Sequence, residues 1–424
     1  MTKLFQYTFL FFVMIHFASC TKEESALLDD SDVIVIPSDS DVATLGIARS
    51  DDGNCVLAGY EYRFPYDSQR NPGRMIKMDA NGKIIWSKRM AEPGRTLFRI
   101  LPVPGTGFLT LGIGDMDVVS SDKMDICLYD NEGTSISTHK ISSHNANSWN
   151  APFDIIRLSN GNYAVAGGSL YSKQGYLDIL APDFTVLYSR TFDALSGYTN
   201  VLFHGMCETP DGSIALTATT EFFSPAYDTT RYLSVLIRTD LDGTQKSYSL
   251  LFDSDFDETP NVITPHNNEL IGFTARKPAY NAGDGAYVNY VFNYADNGLL
   301  ISGKINICRF TKDGTLIERK IISDYSGNGM ISSVHPTNDG GFICCGTVDQ
   351  TNLPVIVSKT KIYLLKLDVN LNEEWSKTIY TTYQSFGVEA LQTPDGGYLV
   401  SGQHRSMNER FEMMVIKTDA NGNY

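Results

Sequence analysis

The sequence predicts an all-β fold: a seven-bladed β-propeller of four-stranded antiparallel blades, closed by an N-terminal strand in the last blade. Three observations predict it. A small-residue turn leading into an apolar run recurs seven times, anchored at Gly53, Thr106, Gly161, Gly212, Asn268, Gly340 and Gly396. The intervals are 53, 55, 51, 56, 72 and 56 residues. Each unit divides into four short strand-like runs, and the unit cut short at Tyr424 lacks its fourth run while an orphan run, Asp32 to Pro37, precedes the first unit. A four-stranded sheet repeated about every 50 residues is the mark of a propeller blade.

The cleanest unit runs Thr393-Pro394-Asp395-Gly396-Gly397-Tyr398-Leu399-Val400-Ser401-Gly402, then Met413-Met414-Val415-Ile416-Lys417-Thr418-Asp419-Ala420-Asn421-Gly422. Asp-Gly and Asp-Ala-Asn-Gly suit tight turns, because Gly and Asn accept positive φ. Alternating apolar residues between them favour sheet over helix. The first strand of unit one is expected at Val42 to Arg49 and its last at Lys83 to Lys88. Asp32 to Pro37 should supply the missing outer strand of unit seven, so that head pairs with tail.

Residues 1–20 stand outside this pattern. Lys3, the apolar stretch Leu4 to Phe17 and the ending Phe17-Ala18-Ser19-Cys20 read as a secretory signal. Its short core and terminal Cys resemble a bacterial lipoprotein signal, which implies acylation (palmitate) at Cys20. Residues 21–31 are then an acidic tether and 32–424 the propeller. Thr21-Lys22-Glu23-Glu24 is similar to the Lys-plus-acidic pair that flags lipoproteins for surface export in Bacteroidota. Two or three acyl chains anchor a protein at roughly 0.8 kcal/mol per buried CH2. No run after residue 20 is long and apolar enough for a membrane helix. A formal net charge of -15 argues against nucleic acid as a partner.

Beyond Cys20 there are Cys55, Cys127, Cys207, Cys308, Cys344 and Cys345. Cys127 and Cys308 occupy the strand position held elsewhere by Ile76, Ile237, Leu365 and Ile416, so they read as small buried hydrophobes. The even count admits disulfides. Separate blades and opposed faces for the adjacent Cys344 and Cys345 favour free thiols.

Catalytic residues are harder to nominate. Asp52, Asp211, Asp339, Asp395, Asp79, Asp130, Asp240 and Asp419 fall in repeat turns that backbone geometry already explains. His204, His335, His266 and His404 lie at different depths of different units. Asp79 to Trp86 and Leu371 to Trp375 partly resemble the tryptophan-docking motif of quinone-dependent dehydrogenases, but in only two units of seven. Those tryptophans are expected to lock adjacent blades together. No catalytic residue, cofactor or metal is assigned.

Unit five carries the one real insertion, Ala275 to Gly303, on the face opposite the tight turns. Its Tyr280, Tyr287, Tyr290, Phe292 and Tyr294 are suited to stacking on sugar rings or anchoring a protein. They form the candidate binding surface, with an extra hairpin over Val288 to Tyr294 as the plainer alternative. Asn338 to Gly346 with Lys366 to Ser376, and Pro394 to Gly402 with Lys417 to Asn423, resemble the secreted propeller lipoproteins of Bacteroidota. In that family Asp-Gly-Gly-Tyr turns alternate with Lys-Xaa-Asp-Xaa-Xaa-Gly-Asn-Xaa-Xaa-Trp closures. Ala181-Pro182-Asp183 and Asn267-Asn268 depart from it. The resemblance implies a lipid-anchored, outer-membrane, surface-exposed monomer. The expected role is non-catalytic binding of a glycan or protein partner, with a carbohydrate-active hydrolase bearing channel-mouth carboxylates as the alternative and a quinone-dependent oxidoreductase third.

Overall fold

A computed structural model describes residues 33–36, 41–62, 73–90, 95–114, 123–142, 150–169, 174–193, 197–224, 229–251, 256–278, 304–322, 328–349, 360–379, 381, 384–405 and 410–424. Among them, twenty-eight strands form seven four-stranded antiparallel sheets. Six sheets take four consecutive strands in order. The seventh joins both ends of the chain: Val33–Ile36 pairs with Phe411–Thr418, matching Val33 to Ile416 and Ile36 to Met413. The described closing strand falls within the expected run Asp32 to Pro37.

No blade has a core of its own. Seven clusters of buried apolar side chains fill the seven seams between adjacent blades, and the last seam joins Leu399, Met413 and Val415 of blade seven to Val42, Leu57 and Ile76 of blade one. Middle strands are therefore covered on both faces. Gly175–Leu180 and Thr360–Leu367 are buried at every position, so apolar residues such as Leu177 and Ile179, or Ile362 to Leu365, point to both faces. Outer strands such as Ile84–Arg89 and Leu316–Ile321 are mostly exposed, which puts the first strands at the ring axis.

The turn after each first strand has the expected chemistry in most blades. Gly53, Gly161, Gly212, Gly340 and Gly396 all have φ between 75° and 88°. Blades two and five differ from the expected anchors. In blade two Gly105 and Gly107 take the positive φ rather than Thr106, and in blade five it is Asn267 rather than Asn268. Blade five has room for only two residues between the paired His266 and Glu269. Its second strand also runs to Pro278, so Ala275 begins inside the sheet and not in the insertion.

The second set of turns fits each blade to its neighbour. A Cβ on Gly133 would stand 2.7 Å from Trp86 of the preceding blade, and one on Gly422 would stand 2.6 Å from Trp375. Both tryptophans thus lock blades together as expected. Ser137 and Glu318 occupy the position equivalent to the tryptophans in blades two and five. There the following turn carries Phe184 or Leu371 instead of Gly, both buried and both at positive φ (66° and 63°). Holding a non-Gly residue in that region costs of order 1 to 3 kcal/mol, which burial of a large apolar side chain offsets.

Candidate functional site

All seven first strands carry a β-bulge at mid-length. The register shifts lie between Thr44 and Gly46, Leu97 and Arg99, Pro152 and Asp154, Phe203 and Gly205, Pro260 and Val262, Ile331 and Ser333, and Gly387 and Glu389. A bulge leaves one residue unpaired and re-aims the side chains beside it. The residues just after the bulges, Gly46, Arg99, Asp154, Gly205, Val262, Ser333 and Glu389, form one tier around the axis.

The charged members of this tier reach across seams. Glu389 of blade seven accepts a hydrogen bond from the Ile47 amide of blade one at 2.8 Å. Asp154 of blade three accepts one from the Met206 amide of blade four at 3.1 Å. Ile47 and Met206 hold the same place, one residue beyond the tier, so the two carboxylates do the same work in two seams. A glycine precedes each donor, and a Cβ on Gly46 would lie 2.9 Å from Glu389 Oε2. The other carboxylate oxygen of Glu389 meets His335 Nε2 at 2.6 Å, and Arg99 Nε stands 3.4 Å from Asp154 Oδ1.

The two carboxyl groups titrate in opposite directions. Burial raises the Asp154 carboxyl above the ordinary range, against Arg99 and the Ile155 and Met206 amides. Burial would raise Glu389 too, but the His335 hydrogen bond, the His335 charge, the Ile47 amide and Arg99 together hold it below that range. His204, bonded to Thr219 Oγ1 at 2.8 Å, is pushed down to about 4 by burial and is neutral at physiological pH.

The turn aspartates have a different occupation. Lys77, Arg238, Lys366 and Lys417, near the end of each third strand, pair with Asp52, Asp211, Asp339 and Asp395 at 2.7 to 2.9 Å. Blade five substitutes Arg309 with Glu269 at 2.9 Å. Three of the bases, Lys77, Arg238 and Lys366, are buried, so each needs its partner. The repeated Asp-Gly turn and the repeated basic residue are one structural device.

The six cysteines downstream of Cys20 are buried and free. Cys344 packs in the seam between blades five and six, and Cys345 in the seam between six and seven, which separates adjacent thiols by the thickness of a sheet. Cys20 and the aromatic set Tyr280, Tyr287, Tyr290, Phe292 and Tyr294 lie outside the described residues. Sequence reasoning passed over Arg99, Asp154 and Glu389 and took His335 as isolated. A signal existed: in six units the tier residue stands seven positions before the turn anchor, as Glu389 does before Gly396.

One small cleft lies elsewhere, between blades five and six, lined by Arg309, Glu318, Lys320 and Leu371 among others, with a volume near 110 Å³. Ligand pockets generally hold about 300 to 1,000 Å³, so it is undersized for one.

No protein-family model matches the chain, and no curated protein matches it. Among solved structures the chain is similar to a protein of unknown function from Dyadobacter fermentans, at 13% identity and a TM-score of 0.48, over 92% of this chain and 98% of that one. A protein of unknown function from Bacteroides caccae aligns at 10% identity and a TM-score of 0.41, over 80% of this chain and 94% of that one. Drosophila Semaphorin 1b aligns at 9% identity and a TM-score of 0.43, over 92% and 86%.

Proposed function

We propose that this chain is a lipid-anchored outer-membrane propeller, held at the cell surface through Cys20, that binds a glycan or a protein partner without catalysis. One observation carries the non-catalytic part. The carboxylates described above are committed to structure: four turn aspartates, Asp52, Asp211, Asp339 and Asp395, to third-strand bases, and Glu389 and Asp154 to backbone amides of the next blade. The anchor rests on the signal-like first twenty residues, and the closing strand begins at Val33, shortly after the proposed tether. A rigid ring of this kind presents its loops as a recognition surface.

Metabolic labelling with a palmitate analogue tests the anchor: label should enter the wild type and not Cys20→Ala. Surface exposure is tested by protease accessibility on intact cells. Binding is tested on a glycan array and by cross-linking on cells, with Tyr287→Ala and Tyr290→Ala as variants of the proposed aromatic surface. Glycan turnover by the wild type would replace this reading with another.

That second reading is hydrolysis, and it is favoured by Asp154 and Glu389, whose opposed titration around one Arg resembles an acid and base assignment. Turnover abolished by both Asp154→Asn and Glu389→Gln would support it.

A further inference from the structure

The outer strands of blades one to six carry bulges of their own. Pairing with the third strand skips Ile85, Ile136, Leu187, Lys246, Ile317 and Glu374, each three positions after the turn residue at positive φ. In blades four and six the skipped side chain is charged and partnered, Lys246 by Asp240 and Glu374 by Lys366. In blade five Ile317 is followed directly by Glu318, Arg319 and Lys320. Blades one to three differ. There Ile85, Ile136 and Leu187 are 45 to 52% exposed, with Ile84, Val186 and Tyr188 exposed beside them. Contacts join these outer strands in sequence: Ile34 of the closing strand lies against the turn at Gly82, Trp86 against the turn at Gly133, and His139 meets the Phe184 ring at 4.9 Å. The exposed side chains therefore form one apolar arc on the rim, beginning beside the closing strand.

We propose that this arc docks on the lipid bilayer to which the chain is tethered, seating Ile85, Ile136, Leu187 and Tyr188 in the headgroup region and fixing the tilt of the ring. The assignment rests on the lipid anchor proposed above. Chain direction favours lipid as the occupant. Val33 pairs with Ile416, close to the turn at 419–422, so the preceding residues join the ring at its tight-turn end, and the arc lies just beyond the outer turns at that same end. The thirteen residue steps from Cys20 to Val33 span at most about 45 Å, which keeps the arc near the bilayer. Such a tether makes docking intramolecular, so a patch too small to hold a free protein suffices.

Charge points the same way. The outer strands Ile84–Arg89, Ser135–Ser142 and Val186–Phe192 carry Lys88, Arg89, Lys140 and Arg190 and no acid, in a chain of net charge -15. Asp79, Asp130 and Asp183, in the turns before them, bond back to amides of their own turns. The bulges also interrupt the row of backbone groups that an added protein strand would need, whereas apolar insertion into lipid needs no such row. Tyr188 has the apolar body and polar tip that suit a membrane interface.

Acylated full-length protein on vesicles of phosphatidylethanolamine and phosphatidylglycerol tests the assignment, with spin-labelled phosphatidylcholine as quencher. The cysteines after Cys20 are buried, which confines labelling to an introduced one. A fluorophore on Ile136→Cys or Leu187→Cys should be quenched, and one on Lys246→Cys or Ile317→Cys, at the same place in blades four and five, should not. In a labelled Tyr188→Cys protein, adding Ile85→Ser or Ile136→Ser should lower the docked-to-undocked ratio about tenfold with little change in melting temperature. Equal quenching at all four bulge positions, or none while the protein stays on the vesicles, would overturn the docking and leave the anchor standing. So would copy-to-copy cross-linking through Leu187→Cys, which would give the arc to a second copy of the chain. A wild-type protein that carries no acyl chain and stays off the vesicles would remove the anchor, and this inference with it.

Discussion

Glu389 in the last blade accepts the Ile47 amide of the first at 2.8 Å, so a single carboxylate fastens the bulge of the opening strand across the closing seam. Its other oxygen holds His335 in blade six. Three blades therefore meet on one side chain, near the place where the chain has to join its two ends.

Removing that side chain should cost more than an ordinary contact. Glu389→Ala leaves the Ile47 amide and the His335 ring without their acceptor. Such orphaned groups cost about 1 to 3 kcal/mol. Urea denaturation should show that loss, with Glu389→Gln retaining most of the wild-type stability. A Glu389→Ala protein as stable as the wild type would remove the carboxylate's role as a clasp.

The closing strand is the second test. Ile36 is 2% exposed and packs with Met413 and Val415. Ile36→Ala should cost about 2 to 5 kcal/mol, and deleting Val33–Ile36 should expose the edge of Phe411–Thr418. Hydrogen exchange should then rise first in blade seven. Uniform exchange around the ring after the deletion would contradict head-to-tail closure.

Volume compensation between blades predicts coupling. Gly133→Ala places a methyl group against Trp86 and strains a backbone at φ 72°, so it should destabilise by about 1 kcal/mol or more. Trp86→Ser should relieve the clash while forming a cavity of its own. In a double-mutant cycle the pair should deviate from additivity by 0.5 kcal/mol or more, in roughly the range seen for residues in contact. Strict additivity would mean that the two residues do not share the space.

Acid should loosen the turns in a defined window. Burial works to raise the Asp339 carboxyl, yet its bonds to Lys366, Thr337 and the Gly341 amide hold it at about 2. Asp395 sits at about 2 through Thr393 and Lys417. Asp52 and Asp211 are lower still, burial again being outweighed, by Lys77 and Ser50 in one and by Thr209 and Arg238 in the other. An unfolded Asp titrates near 3.9, so the folded state binds fewer protons. The stabilisation is complete above about pH 4 and is lost as pH falls toward 2 and below. Asp154 and Glu258, both raised chiefly by burial, act with the opposite sign at higher pH. Thermal melts from pH 6 to pH 2 should therefore fall most steeply below pH 4, and Asp339→Asn should flatten that fall.

Thiol accessibility gives a further check. Burial raises the thiols of Cys55 and Cys308 to about 11, and those of Cys207, Cys344 and Cys345 higher. A thiol reagent at pH 8 should find none of the six cysteines after Cys20 in the native protein and all six in denaturant. Fewer than six after unfolding would reveal a disulfide.

The number of blades, the head-to-tail closure and the structural character of Cys127, Cys308 and the turn aspartates were all present in the sequence, because spacing and turn chemistry are local properties repeated seven times. Phe184 and Leu371 could not be placed that way. Each looks like a broken turn until the side chain across the seam is known, since what permits them is the small or polar residue, Ser137 or Glu318, in the blade before. The channel tier was equally hidden: Arg99, Asp154, Ser333 and Glu389 share a column of the repeat but no residue type, and only closure of the ring brings four blades' worth of unlike side chains to one depth. Periodicity reports what each blade does for itself, whereas the seams and the axis are made by contacts between blades distant in the chain.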